Sequence, residues 1–308
     1  MDSIKIFAPA TIANVSCGFD ILGLCLDTVG DEMVIKKTKE KGITISKIVG
    51  QTLPLEAKKN VAGVAALALL EKIDSDFGFD IEIYKNIKPG SGIGSSAASA
   101  AGAVFGINAL LGEPFITKEL VSFAMEGEKL ASGSAHADNV APALLGGFTL
   151  VRSYEPSLEV IKINSPKELY ATVIHPQIEI KTADSRSVLK QQVTLKLAVK
   201  QMGNLGGLIS GLFTEDYNLI SNSLHDEIVE PYRSILIPGF EEVKQKCIKA
   251  GALGSGISGS GPSIFALSKG EATAKKVAES MSNVYKNIGI DFDVHISKIN
   301  QKGIKILS

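Results

Sequence analysis

Between residues 89 and 99 the chain reads Pro-Gly-Ser-Gly-Ile-Gly-Ser-Ser-Ala-Ala-Ser, and the two halves of this stretch demand different backbones. Glycines at the alternate positions 90, 92 and 94 allow positive φ angles and put no Cβ between the backbone N–H groups and an approaching ligand. From Ala97 onward the run turns to small helix formers, which predicts a helix over 96–111, closed by Gly112 with Pro114 beyond it. A helix that starts at the end of such a loop offers unpaired N–H groups and the positive end of its dipole at one point, an arrangement that suits an anion, phosphate foremost. Upstream, Phe79, Ile81, Ile83 and Ile87 alternate with polar residues over most of their run, as a strand entering the loop would. The unit is therefore strand, glycine loop, helix, and a branched side chain at Gly94 is expected to intrude on the phosphate space.

Two familiar phosphate loops do not fit. A Walker loop requires Lys after its last glycine, where this chain has Ser95 and Ser96. A dinucleotide fingerprint requires Gly at Ser95, and the acid at suitable distance, Glu113, sits in a Leu-Gly-Glu-Pro turn rather than at a strand end. On this stretch alone, a plain connector backed by a close-packed helix stays open.

The 308 residues suggest two domains, each with its own core. With 45% hydrophobic residues, 21% charged and a formal charge of −1, nothing pulls the chain electrostatically toward nucleic acid or a membrane, and small-molecule chemistry is expected. Cys17, Cys25 and Cys247 have no metal-ligand spacing and read as reduced thiols, hence a cytoplasmic protein. The apolar run 61–70 is far short of a membrane span.

Along the chain, Ile4, Ile6 and Ala8 alternate as a strand that Pro9 is expected to stop, opening a loop over 10–18. Strands over 34–36 and 43–45 flank a basic turn and read as a hairpin. A helix over 60–73 has Asn60 as N-cap, and a second, over 117–130, carries Glu126 and Glu128 toward the loop 131–135. A short apolar helix over 140–145 follows His136, Asp138 and Asn139; a strand over 148–151 and a linker near Pro156 close the first half. The second half reads as strands 158–163 and 169–175, a helical stretch 193–212 that Gly203, Gly206 and Gly207 would bend or break, a helix 240–250, a strand 263–267, a helix 270–288 and a strand 291–299. This order is close to a ferredoxin-like α+β sandwich.

Three stretches together resemble the phosphate-loop, N-terminal and C-terminal motifs of the GHMP kinases, the group that includes galactokinase, homoserine kinase, mevalonate kinase and phosphomevalonate kinase. They are the glycine loop, Ala8-Pro9-Ala10-Thr11-Ile12-Ala13-Asn14-Val15-Ser16-Cys17-Gly18-Phe19-Asp20, and Gly254-Ser255-Gly256-Ile257-Ser258-Gly259-Ser260-Gly261-Pro262-Ser263. The first motif, continued by Ile21-Leu22-Gly23, together with Ser134-Ala135-His136-Ala137-Asp138-Asn139 and Lys181-Thr182-Ala183-Asp184-Ser185-Arg186, is similar to the homoserine kinases in particular.

The resemblance implies an α+β, two-domain fold, with an S5-like N-terminal ATP-binding domain over 1–155 and a ferredoxin-like C-terminal domain over 156–308. It implies that ATP is cradled by Pro89, Gly90, Ser91, Gly92, Ile93, Gly94, Ser95, Ser96 and Ala97, and that Mg2+ is held by Ser96 and Glu128, with Glu126 as the fallback. Mg2+ takes few protein oxygens and leaves the rest of its octahedron to phosphates and water, so a hydroxyl and a carboxylate suffice. The acceptor implied is L-homoserine. Its carboxylate would meet Arg186 and Arg233 in forked bonds, its ammonium Asp138 and Asp20, and its hydroxyl Asn14 and Asn139, with His136 and Thr182 also in the pocket. Asp138 serves either as general base or as a holder of substrate, and both roles stay open. By residues alone, Asn14 reads equally as a turn-completing side chain. A homodimer is expected.

Two competing readings are another GHMP kinase, such as a mevalonate-pathway enzyme, and a non-catalytic ligand-binding regulator on the same fold. The first would need a pocket for a branched acid or phosphate rather than for ammonium. Retention of both Ser96 and Glu128 speaks against the second.

Overall fold

A computed structural model describes residues 1–180 and 182–308, without the side chains of Ser132, Thr182 and Ala183. The expected substrate contact at Thr182 therefore lies outside the described residues.

The chain opens with β1 (Ser3–Ala13) and the long β2 (Leu22–Thr38), paired antiparallel, followed by β3 (Ile43–Val49), α1 (Val61–Leu70) and β4 (Gly78–Tyr84). Pro9 does not end the first strand. The ladder shifts register between Pro9 and Thr11, a bulge that accommodates the missing N–H and lets pairing resume at Thr11 opposite Cys25. Nor do β2 and β3 form a hairpin, because β4 lies between them, antiparallel to β2 and parallel to β3. A parallel pair needs a crossover, and α1 supplies it, with the Asn60 side chain accepting from the Ala62 N–H at its start.

The glycine loop then leads into α2 (Ser95–Leu110), and α3 (Leu120–Ser132) and α4 (Val140–Leu145) follow. The small residues of α2 have a packing purpose. A Cβ on Gly102 would come 2.3 Å from Met33 Sδ, so the helix lies directly on the sheet.

Next come β5 (Phe148–Ser153) and β6 (Glu159–Ile163), paired with each other and, through β5, with β2. The chain end, β11 (Lys305–Ile306), returns to pair with β1. Residue 155 thus falls within the β5–β6 turn, and the first sheet draws strands from both sides of it.

The second sheet contains β7 (Leu169–Pro176). After it come α5 (Thr182–Ser187), α6 (Leu195–Thr214), α7 (Tyr217–Ser223), α8 (Glu230–Arg233) and α9 (Phe240–Lys249), then β8 (Gly254–Ile257), β9 (Ile264–Lys269), α10 (Glu271–Ile288) and β10 (Phe292–Lys298). Its order β10-β7-β9-β8 is the antiparallel 4-1-3-2 order of a ferredoxin-like sandwich. The strand read over 158–163 is not part of it. The glycines of 193–212 leave α6 continuous for 20 residues. Gly207 and Gly211 sit against α7, where a Cβ would come 2.4 Å from Ser223 Oγ and 2.9 Å from Ile220.

Candidate functional site

The phosphate loop is held in shape by the other two motifs. Thr11 N–H donates to the Ile93 carbonyl (3.1 Å), Ser258 Oγ to the Gly92 carbonyl (2.7 Å) and Ser263 Oγ to the Ser91 carbonyl (2.6 Å). Gly259 N–H closes the triangle on the Ala13 carbonyl (3.2 Å). The three stretches far apart in sequence therefore form one layer of loops. Gly90, Gly92 and Gly94 all have positive φ, and Gly94 is the residue from which α2 starts.

A cavity of about 660 Å³ opens over this layer. Its walls include Gly90, Gly92, Gly94, Ser95, Ser96 and Glu128, and also Asn14, Asp20, His136, Asp138, Asn139, Arg186 and Arg233. Anion cradle and acceptor candidates thus share one space, of a size suited to small ligands.

At Gly94 the structure adds a second constraint to the one read from the sequence. A Cβ there would come 2.1 Å from Thr11 Oγ1 and 3.1 Å from Asn139 Oδ1, and Thr11 Oγ1 donates to that Asn139 oxygen (2.7 Å). Gly94 thus both lines the cavity and is crowded by protein. Gly94→Val is accordingly expected to lower the melting temperature as well as ATP affinity, since it combines a strained φ with a steric clash. A variant that melts with wild-type behaviour in thermal denaturation while losing only ATP would contradict this packing.

Of the two metal candidates on α3, Glu126 is exposed and Glu128 is buried against the loop, where the Ser96 hydroxyl donates to its carboxylate. Burial pushes the Glu128 carboxyl up to about 7, against the pull of the Ser96 hydrogen bond. A carboxylate deprived of water beside a hydroxyl fits a small hard cation, which would return the charge it lacks.

Around the acceptor candidates the charges are networked. Arg186 forks onto Asp20, with Nη1 to Oδ2 at 3.1 Å and Nη2 to Oδ1 at 2.7 Å, and its Nη2 also reaches His136 Nδ1 at 2.8 Å. Burial pushes Asp20 up, but the hydrogen bonds and charges of His136 and Arg186 outweigh it and leave the carboxyl below its ordinary value. His136 is raised, first by its hydrogen bond to Asp20. Arg233 is buried, donates from Nε to the Ser185 carbonyl (2.9 Å) and from Nη1 to the Gly259 carbonyl (3.2 Å), and is lowered to about 10 by burial. Asp138 is also buried, and burial followed by the Asp20 charge pushes it up to about 6.

Asn14 has both ends of its amide engaged, Nδ2 on the Gly259 carbonyl (2.8 Å) and Oδ1 from the Asp20 N–H (3.0 Å). It braces the loop that carries Asp20, which is the turn-completing reading of this residue.

Three contributors were not singled out from sequence. Phe19 lies beneath both arginines, its ring centre 5.5 Å from Arg186 Cζ and 5.0 Å from Arg233 Cζ. The Tyr154 hydroxyl donates to the Asp20 carbonyl (2.9 Å) and accepts from the Ala137 N–H (3.1 Å), tying the His136–Asp138 loop to the first motif. Beneath the phosphate loop, the fully buried Lys85 pairs with Asp31 and donates to the Ser95 carbonyl (2.9 Å) and Ser99 Oγ (3.0 Å). Asp31 in turn accepts the N–H groups of Asn86 and Ile87 at 2.8 and 2.9 Å. Lys85 had a signal: it shares the inward parity of Ile81, Ile83 and Ile87, where a lysine requires a buried partner. Tyr154 and Phe19 had none.

Fold and site define a small-molecule kinase of the GHMP class. Residues 60–147 match the family model of the GHMP kinases N-terminal domain, and residues 196–287 that of the GHMP kinases C-terminal region. Over the full length of both chains, the sequence is 46% identical to a homoserine kinase of Chlorobium phaeobacteroides (strain BS1). The crystal structure of homoserine kinase from Cytophaga hutchinsonii superposes with a TM-score of 0.96 at 52% identity, covering 100% of this chain and 98% of that one. A mevalonate kinase from L. major shares the fold at TM-score 0.71 with 16% identity. The chain belongs to the homoserine kinase family.

Proposed function

We propose that the chain transfers the γ-phosphoryl group of ATP to the side-chain hydroxyl of L-homoserine, giving O-phospho-L-homoserine and ADP, a step of threonine biosynthesis. The observation that carries the acceptor assignment is the Asp20–Arg186–His136 network within the same cavity as the glycine loop. An amino acid brings one negative and one positive group, so its carboxylate takes the Arg186 fork while its ammonium replaces the guanidinium at Asp20. Each half-buried charge keeps a partner. A purely anionic acceptor such as mevalonate would occupy Arg186 and leave Asp20 without a full cationic replacement.

In this reading Arg233, held over Phe19, adds a second charge for the carboxylate. Asn139 spends its Oδ1 on Thr11 and orients the acceptor hydroxyl with its amide nitrogen, while Asn14 keeps Asp20 in place. As the hydroxyl oxygen bonds to the γ-phosphorus and the bond to the ADP oxygen breaks, Asp138 accepts the hydroxyl proton; its raised pKa of about 6 leaves it ionised yet basic near neutrality. The loop N–H groups and the N-terminus of α2 stabilise the phosphate charge. Ser96 and Glu128 would hold Mg2+, whose charge would offset that of the phosphates. Three buried free thiols suit a cytoplasmic setting. Among the described residues no helix is long and apolar enough to cross a membrane. The same reading includes a homodimer, supported by an exposed apolar face on α6.

A coupled assay of ADP release with L-homoserine, L-threonine, mevalonate and galactose tests the assignment, with turnover expected for L-homoserine. Preference for mevalonate or galactose would overturn it, as would ATP binding without turnover. On the same assay, Arg186→Ala is expected to raise the KM for homoserine about tenfold or more per lost charge-assisted bond, each worth roughly 1.5–3 kcal/mol, with little change in the KM for ATP. Lys at this position should recover only part, because a point charge does not reproduce the fork. Equal losses for both substrates would place Arg186 at the phosphates instead.

A further inference from the structure

The glycine loop is closed at its base by one buried ion pair. The side chains of Lys85 and Asp31 are 1% and 0% exposed. An ammonium group has three protons, and each finds an acceptor here: Asp31, the Ser95 carbonyl (2.9 Å) and Ser99 Oγ (3.0 Å). On its other side, Asp31 takes the Asn86 and Ile87 N–H groups on Oδ1. Ser95 Oγ adds a direct link, donating to the Ile87 carbonyl (2.8 Å). The chain leaving β4 and the first turn of α2 are thereby held to the same two charges, with the seven residues 88–94 between them.

Stability is a weak account of such a pair. Well-packed apolar side chains in its place are often as stable, because the desolvation of both charges offsets their attraction. What apolar residues would not supply is direction. Gly90, Gly92 and Gly94 give the loop wide backbone freedom, and a cradle of N–H groups stabilises phosphate charge best when the groups are aimed before the charge arrives. Thr11, Ser258 and Ser263 fix the middle of the loop, at Ile93, Gly92 and Ser91. Its two ends are fixed by Lys85, Asp31 and the Ser95 hydroxyl. We propose that Lys85 is a positioning residue for phosphoryl transfer: paired with Asp31, it clamps the exit of β4 to the start of α2 and so aims the loop N–H groups at the phosphates of ATP. This rests on the reading of the loop as the phosphate cradle and adds the group that keeps the cradle in shape. Neither Lys85 nor Asp31 is among the described residues that line the cavity, so the effect runs through the loop.

The double variant Asp31→Asn, Lys85→Met tests the clamp. Asparagine keeps an acceptor for the Asn86 and Ile87 N–H groups, methionine keeps most of the lysine's length, and the net charge is unchanged, so a loss of ATP binding reports geometry rather than long-range attraction. Affinities for ATP and for adenosine, which lacks the phosphates, are measured by calorimetry, beside the steady-state constants and the melting temperature. ATP affinity is expected to fall about tenfold or more and kcat on the order of a hundredfold, while adenosine affinity and the homoserine KM hold. A pair that serves stability alone would shift only the melting temperature. Ser95→Ala removes the direct link with the ion pair intact, and should lose ATP affinity in the same direction by a smaller factor. Unchanged preference for ATP over adenosine in the folded variants overturns the clamp, and if the double variant does not fold, Ser95→Ala alone decides. A wild type with no preference for ATP over adenosine would instead sink the cradle reading itself.

Discussion

Asp138→Asn should lower kcat for homoserine phosphorylation by about 10²- to 10⁴-fold, the usual contribution of a positioned general base, while ATP affinity stays near wild type. The amide keeps the shape of the side chain and its place in the loop but has no lone pair basic enough to take the hydroxyl proton. The pH profile adds a second readout. Burial and the neighbouring Asp20 put the Asp138 carboxyl at about 6, above its ordinary value, so the proton-accepting form is lost as pH falls through 6. Wild-type kcat/KM for homoserine should therefore decline on the acid side with a midpoint near that pH, and the variant's residual rate should lack that limb. If Asp138→Asn instead raises the homoserine KM and leaves kcat intact, the residue holds the ammonium and the proton leaves by another route.

The second large effect is expected at Glu128, and it has two opposite signs. Turnover of Glu128→Gln should fall steeply and recover in part with excess Mg2+, because one of two protein oxygens offered to the metal loses its charge. Stability without metal should rise. The Glu128 carboxyl stands at about 7 in the folded chain against 4.5 ordinarily, so its charged form is disfavoured by folding; the penalty is absent below the unfolded value and complete above pH 7. At 1.36 kcal/mol per unit this amounts to roughly 3 kcal/mol, on the order of the gain available to glutamine at pH 8. Thermal denaturation at pH 8 in the presence of a chelator should show the variant melting higher, and a titration with Mg2+ and ATP should stabilise the wild type more than the variant. A variant that melts lower, with Mg2+ response unchanged, would remove Glu128 from the metal site. If Glu126→Gln is the damaging change, the assignment is off by two residues, against the exposure of that side chain.

Local order was legible wherever a short-range rule governs the backbone. Residues 89–99 announce a loop followed by a helix because glycine and alanine have opposite backbone preferences, and the helix starts within a residue of where they change over. Asn60 as a cap, the short helix Val140–Leu145 and the β9, α10 and β10 run of the second sheet were readable for the same reason, whereas β8 lay hidden in a glycine-rich motif. The candidate site residues came from the resemblance of the motifs to the GHMP kinases, which names positions that residue type and spacing alone leave open.

What the tertiary structure decided is who faces whom. Strand pairing is a long-range choice: β4 displaced the expected hairpin by inserting between β2 and β3, and β6 and β11 joined the first sheet from the far side of the expected boundary. Pro9 was tolerated by a bulge because its pairing partners lie in another strand. At Gly94 the sequence called for glycine, but only the packed loops show that Thr11 also crowds the position. Arg186 forking onto Asp20 and Lys85 pairing with Asp31 depend on charges that meet across more than fifty residues. Periodicity by itself assigns residues to a face. The desolvation that raises Glu128 and Asp138, and thereby decides their chemistry, exists only once the faces are closed on one another.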